Sequence, residues 1–413
     1  MLNKISRYII ILLIVIIGAV YLPNFYWMVF QKSTSSPSIY YSAVKNEFVY
    51  KTWNRLTGSK RFDSEGNELT DKEYRKALPF YYHNDLAKWN ELPDSVKSFE
   101  FDRKKVKKEM QMVRINAKDF NDPLIQLWPL IESKPKYSRL SMPEEVFRIT
   151  DRIEFINPAE NKIIEDMSNE FTDAMLKEGF EFPSKFIFGN PTTRKSFDEG
   201  YFIVDNKNET YHLKKIDGKP FCVKTSIPNN LDIKRMFVKE DTRKEFYGLL
   251  FTNSNDVYLI TYDNYKLIKL PLQNYDSDKM KFIFIADPLN RTIKFSDDDK
   301  SISVVTDRNY KLIDKFKIGS TAKENTITGK IERSLFPFKI NTYSSNSHYV
   351  NFDFTINYLF GIISIVFSLI VFFIINRKKQ YNYKENWFDI VIIALTGIYG
   401  LIAVLIIKPG YWD

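Results

Sequence analysis

Sulfur and imidazole are scarce in this 413-residue sequence. The single cysteine, Cys222, excludes an intramolecular disulfide and any cysteine-built metal cluster. It stands in Pro220-Phe221-Cys222-Val223, where it reads as a buried strand residue. The three histidines, His83, His212 and His348, are far apart, and none belongs to H-E-x-x-H or another paired zinc motif. A nucleophile elbow, G-x-S-x-G, is missing too. Ser320-Thr321-Ala322-Lys323 fits S-x-x-K but lacks the companion motifs of a serine acyl-enzyme. Asp297-Asp298-Asp299 lacks the calcium-loop frame and reads as a charged hairpin turn. These absences argue for no catalytic residues, no metal and no cofactor.

What the sequence does have is apolar sequence in three blocks, hidden by a mean hydropathy of −0.31. Tyr8 to Phe30 carries no charge and is long enough to cross a bilayer core of roughly 30 Å. Lys4 and Arg7 precede it, and no small-residue cleavage site follows, so it reads as an uncleaved signal anchor. Tyr358–Ile375 and Phe388–Ile407 read as a second and a third span. The loop between them holds Arg377, Lys378, Lys379 and Lys384, and short basic loops stay cytoplasmic. The expected topology has the N-terminus inside, Gln31–Asn357 outside, the loop inside and the Asp413 tail outside. Asp389 stands at a helix start, so the spans are expected to bury no ionisable group. Gly361, Ser364 and Ser368 on one span, and Ala394, Gly397 and Gly400 on the other, form small-residue faces. Such faces pack the two spans on each other or dock a partner.

The expected division is an anchor at 1–30, a membrane-proximal α+β segment at 31–120 and a β-rich repeat domain at 121–357. A span at 358–376, a basic loop at 377–387 and a last span with its tail at 388–413 complete it. Ser33–Ser38 reads as a linker. Thr70-Asp71-Lys72-Glu73 has the form of a capping box, and Pro79 ends the helix it opens. A second helix is expected at Ser168–Lys177, stopped by Gly179. From Tyr201 onward short β-rich runs alternate with turn residues, such as Tyr201–Val204, Gly248–Phe251, Val257–Ile260, Phe282–Ile285 and Ile302–Val305. Asn264-Tyr265-Lys266-Leu267-Ile268 recurs as Asn309-Tyr310-Lys311-Leu312-Ile313. A period in the mid-forties is that of a propeller blade. The fold class is therefore a mainly β extracytoplasmic domain, propeller-like or an open β-meander with helical insertions, plus three transmembrane helices.

Two charged stretches stand out. The net charge of +9 is dispersed, except in Arg103-Lys104-Lys105-Val106-Lys107-Lys108, which reads as a solvated face or a surface for anionic headgroups or a polyanion. Gly189 to Gly200 begins like a phosphate loop, but Arg194 occupies the second glycine's place and Pro191 removes a donor. Within it Asn190, Thr192, Thr193, Arg194, Lys195 and Asp198 are the candidate ligand-binding residues, with Arg194 offering a planar fork to a carboxylate or phosphate. The alternative is a polar connection in which Arg194 pairs with Asp198 or Glu199.

Leu127–Ser133, Met142–Asp151, Gly189–Tyr201, Tyr211–Lys214 and Gly397–Leu401 together resemble a bacterial membrane-anchored family known only as a domain of unknown function. The resemblance implies a place beside ABC-transporter genes, and no catalytic residues. The expectation is a non-catalytic, multi-pass protein of the bacterial inner membrane, an accessory or binding subunit of an ABC-type transport system. Its partners would be the lipid bilayer and ABC permease and ATPase subunits, with no nucleic acid. The alternatives are an envelope hydrolase with an unrecognised carboxylate pair and a membrane sensor or interaction protein.

Overall fold

The computed structural model describes residues 2–30, 37–54, 58–97, 99–123, 125–319, 326–342, 346–377 and 382–409. Most of the Ser33–Ser38 linker, the S-x-x-K segment and residues 378–381 of the basic loop lie outside the described residues.

Mainly β structure with helical pieces fills the region between the apolar helices. Five sheets pack face to face. The first comprises Ser38–Ser42, Glu47–Asn54 and Gly58–Phe62; the second, Val146–Ile149, Ile153–Asn157 and Lys162–Ile163. The third is a meander of Phe186–Gly189, Tyr201–Val204, Thr210–Ile216 and Lys219–Lys224. The fourth repeats it with Ile233–Val238, Phe246–Thr252, Val257–Thr261 and Leu267–Lys269. The fifth does so again with Lys281–Ala286, Arg291–Ser296, Lys300–Thr306 and Leu312–Gly319. All three meanders are antiparallel throughout.

Strand periodicity explains the stacking. Successive side chains point to opposite faces, and both faces are apolar here. Tyr201 and Ile203 pack toward the second sheet, with Phe147 and Phe155. Phe202 and Val204 pack toward the fourth, with Met236 and Leu250. Leu249 and Phe251 then face Phe282, Phe284 and Phe295 of the fifth. Each such phenylalanine, fully buried, contributes about 2–3 kcal/mol.

The stack does not close into a barrel or a propeller. Tyr41 and Phe48 of the first sheet pack on Val305, Phe316 and Ile318, in the last two strands of the fifth. Among the described residues no core joins the first sheet to the second. The boundary expected at residue 120 also cuts through a sheet, because Gln111–Ile115 pairs with Lys281–Ala286.

The helices, in chain order, are α1 (Leu2–Phe30), α2 (Asp71–Ala77), α3 (His83–Lys88), α4 (Arg103–Glu109), α5 (Glu165–Lys177), α6 (Ile327–Leu335), α7 (Tyr358–Asn376), α8 (Trp387–Thr396) and α9 (Ile398–Ile406). Thr70 and Glu73 form the expected capping box on α2, and Gly179 follows α5 with φ +87°.

Two helices are long and apolar enough to cross a membrane: Lys4–Phe30, of mean hydropathy 2.5, and Leu359–Asn376, of mean hydropathy 2.7. The expected third span is broken. Gly397 stands between α8 and α9 at φ +58°, a left-handed conformation that halts a helix. Ile398 N then donates to Ser364 Oγ of α7 at 3.2 Å instead of continuing the helical ladder. Ser364 and Ser368 of the small-residue faces are buried in this packing. A side chain at Gly361 would meet Pro337, and one at Gly397 would meet Ser364, so both glycines serve close packing within the chain.

Candidate functional site

The Gly189–Gly200 connection lies where the third sheet meets the fourth. It joins two strands that are locked in register, Phe186–Gly189 and Tyr201–Val204, so its side chains are held against the fourth sheet. Lys195 is its centre. An ammonium has three donors, and all three are taken: by Asp198 Oδ1, by Glu240 Oε1 at 2.7 Å and by the Asn190 carbonyl at 2.7 Å. Lys195, Asp198 and Glu240 side chains are 4%, 3% and 0% exposed. Asn190 Nδ2 donates to the other Glu240 oxygen at 2.7 Å. The second Asp198 oxygen accepts from Gly200 N at 2.8 Å and Ser133 Oγ at 3.2 Å.

A second group adjoins it. Glu199 accepts from Lys214 Nζ at 2.6 Å and from Tyr262 Oη at 3.0 Å. Its carbonyl accepts from His212 Nε2. With Nε2 carrying the proton, neutral His212 accepts at Nδ1 from Tyr265 Oη, 3.0 Å away. The ring lies flat on Phe202, with centroids 4.5 Å apart. Burial pushes His212 down to about 3, against the opposing effect of its bond to Glu199. Burial and the Glu199 charge push Tyr262 up.

Asn190, Lys195 and Asp198 are thus brought together, as partners of one another. Thr192, Thr193 and Arg194 are at the rim: Thr192 Oγ1 accepts from Arg194 N at 3.2 Å, and the Arg194 side chain is exposed. Lys195, rather than Arg194, pairs with Asp198. Glu240, Lys214, Tyr262 and the His212–Tyr265 pair were not among the sequence candidates. The repeat was a usable signal for Tyr265. Its counterpart Tyr310 reaches back from the fifth sheet to Glu245, which also binds Arg291 through two hydrogen bonds of 2.8 and 3.1 Å. The repeated turn tyrosine therefore ties each meander to the one before it.

A second buried charged group lies among the apolar helices, where none was expected. Arg7 donates to Asp389 Oδ1 at 3.0 Å and Oδ2 at 2.7 Å, and its Nε donates to the Ile407 carbonyl at 3.1 Å. Arg7 is 2% and Asp389 0% exposed. Asp389 begins α8 and Ile407 ends α9, so one guanidinium holds both ends. The segment folds back as a helical hairpin.

Among the described residues one grouping has the donors for a divalent cation: Asp119, Asp122 and His348. His348 Nε2 lies 2.6 Å from Asp122 Oδ1, and Asp119 Oδ2 already accepts from Asn116 N at 2.7 Å. Burial lowers the pKa of neighbouring Arg235 despite the Asp122 and Asp119 charges, so a protein cation already faces these carboxylates. Burial pushes the Cys222 thiol up to about 12, away from the reactive thiolate.

Residues 38–306 match a domain of unknown function, DUF4857. The chain belongs to this family. The DUF4857 match spans the sheet stack from the first strand to the third strand of the fifth sheet, and leaves α1, α6 and α7–α9 outside. No curated protein matches the chain. A solved structure, dihydro-heme d1 dehydrogenase NirN in complex with DHE, is similar at 8% identity and a TM-score of 0.20. That similarity covers 56% of this chain and 57% of the other, and at such a score it carries no argument.

Proposed function

We propose that this chain is an integral membrane protein whose DUF4857 domain is carried, in fixed orientation, on a compact apolar bundle, and that it serves as a non-catalytic accessory subunit of an ABC-type transport system. The observation that carries this reading is a joint between the bundle and the segment that follows the domain, α6 and the strand Phe338–Asn341; His348, further along that segment, lies 2.6 Å from Asp122 of the domain. Tyr26 Oη of α1 donates to the Thr328 carbonyl of α6 at 2.9 Å. Tyr399 Oη of α9 donates to the Phe338 carbonyl at 2.7 Å. Tyr26, Phe336, Ile340 and Tyr399 share one core. Such packing limits how far the domain can swing on the bundle, which suits a subunit that must hold its domain over a partner.

In this reading α1 and α7 cross the bilayer, with the N-terminus cytoplasmic and the domain extracytoplasmic. The α8–α9 hairpin enters and leaves from the cytoplasmic side, so the tail is cytoplasmic rather than external. Lys4, Arg377, Lys384 and Lys408 then share one side, as the positive-inside rule favours. The permease would meet the outward face of α7, where Leu359, Ile362, Val366 and Phe367 are exposed. Of the candidate residues in the Gly189–Gly200 connection, Thr192, Thr193 and Arg194 are left to meet a ligand.

The test is purification of the tagged full-length protein in mild detergent, with identification of what accompanies it. A stoichiometric ABC permease and ATPase, lost when Ile362 and Val366 are both changed to Trp, would support the reading. The protein alone, from gentle and cross-linked preparations alike, would sink it.

A further inference from the structure

The densest run of positive charge in the chain builds one wall of a groove of about 860 Å³, a volume within the usual range for small-ligand sites. Arg103, Lys104 and Lys107 of α4 line it, together with His83 and Asn84 of α3. Leu92 and Phe101 give it an apolar floor, and Phe101 is fixed there by stacking on Phe80 at 5.7 Å and 5°.

The charge of this groove is not balanced from within. Arg103 donates to Asn84 Oδ1 at 2.6 Å, a neutral partner. Among the described residues Lys104 and Lys107 have no ion pair. The one carboxylate in the lining, Asp102, accepts from Lys104 N at 2.9 Å and caps α4. On α2, close in sequence, the cations are paired: Lys72 and Lys76 with Glu91, and Arg75 with Asp71 and Asp85. Acidic partners are thus supplied to α2 and withheld from α4. Like charges at positions three and four apart repel, and α4 carries Arg103 with Lys107 and Lys104 with Lys107 and Lys108 in that relation. A concave wall of uncompensated cations above an apolar floor suits an anion that also has an apolar or neutral part.

We propose that this groove binds a phosphate-bearing ligand. Lys104 and Lys107 act as point charges on the phosphate, and Arg103, already oriented by Asn84, presents its planar fork. The ligand's remainder rests on Leu92 and Phe101. The phosphate comes either from a lipid headgroup or from a soluble compound, and the arms of the test separate these sources.

The full-length protein in neutral detergent is titrated calorimetrically with inorganic phosphate, pyrophosphate, and dihexanoyl phosphatidylglycerol below its micelle concentration. Dihexanoyl phosphatidylcholine is the zwitterionic control. The double variant Lys104→Gln/Lys107→Gln is compared with Lys105→Gln/Lys108→Gln, which removes equal charge from α4 outside the groove lining. Binding of pyrophosphate, or of the phosphatidylglycerol alone, supports the proposal and names the source as soluble or lipid respectively. In either case the groove variant weakens affinity roughly tenfold or more, and the other variant changes it little. Both variants alter exposed side chains, and an unchanged melting temperature shows that each is folded. Absence of binding by all three phosphates overturns the proposal, and so does equal weakening by the two variants. Neither result depends on whether a transport partner is found.

Discussion

Arg7 and Asp389, 382 positions apart, meet through two hydrogen bonds at the foot of the apolar bundle. The third guanidinium contact, to the Ile407 carbonyl, closes the α8–α9 hairpin. A charge that flanks the first span in the sequence is therefore a bundle component. Its partner turns a stretch long enough to cross the bilayer into one that folds back on itself.

Breaking this pair from one side is expected to cost more than removing it altogether. Arg7→Leu takes the guanidinium from the buried Asp389, and Asp389→Leu takes the carboxylate from the buried Arg7; each should cost about 3–5 kcal/mol. The double variant Arg7→Leu/Asp389→Leu leaves no orphaned charge and should recover most of that loss. Thermal unfolding of the detergent-solubilised protein measures all three. If the double variant is as unstable as the sum of the singles, the pair is not the contact described.

The hairpin places Lys408 near Arg7, on the cytoplasmic side in the topology proposed above. A cysteine at Lys408 should then react with a membrane-impermeant maleimide only after the cytoplasmic side is exposed, together with a cysteine at Lys4. Native Cys222 gives little background, since burial holds its thiol near 12. Labelling of the Lys408→Cys chain from the outside of intact cells would restore the three-span topology.

His212 should make the sheet stack acid-sensitive. Its folded-state pKa, about 3, lies below the usual 6.5. The unfolded chain therefore takes up a proton that the fold refuses. The stability contributed is complete above pH 6.5 and is lost as pH falls from there toward 3, by up to about 1.4 kcal/mol per pH unit. His212→Gln should be less stable than the parent at pH 8, because the stacking on Phe202 goes, yet fall less steeply below pH 6.5. Parallel melting curves for the two proteins from pH 8 to 5 would show that another group carries the acid response.

The meanders were legible because alternation and turn chemistry are local. Tyr201–Val204, Val257–Ile260 and Ile302–Val305 are strands where the sequence predicts them, and Thr70–Glu73 caps α2. What failed needed long-range information. Whether a run of blades closes depends on what its two ends pack against, and the first sheet chose the outer strands of the fifth. Lys195 could be recognised as unusual but not as saturated, because Glu240 arrives from the next meander. Gly397 serves a close-packed face and a helix break with the same residue, and only its φ separates the two. The turn tyrosines Tyr265 and Tyr310 were visible as a repeat. Their common role, hydrogen bonding to the preceding meander, required both partners to be seen.

Asp287 should act in the opposite sense to His212. It is fully buried beside the second strand of the fifth sheet, where Oδ1 accepts from Leu289 N and Asn290 N at 2.8 and 2.7 Å. Burial raises its pKa to about 6, although the two backbone bonds and the charges of Arg291 and Arg243 pull it down. The fold therefore favours the neutral acid. Stability from this group is greatest below the usual carboxylate value and declines as pH rises from about 4 to about 6. Asp287→Asn keeps the oxygen that caps the turn and cannot ionise. It should match the parent near pH 4 and exceed it at pH 8, by an amount on the order of 3 kcal/mol at most. Because His212 acts over the same interval in the other direction, the two effects separate only in the single variants. A Asp287→Asn chain no more stable than the parent at pH 8 would mean that the carboxylate is held charged by Arg291 and Arg243, and that the cations, not burial, set its state.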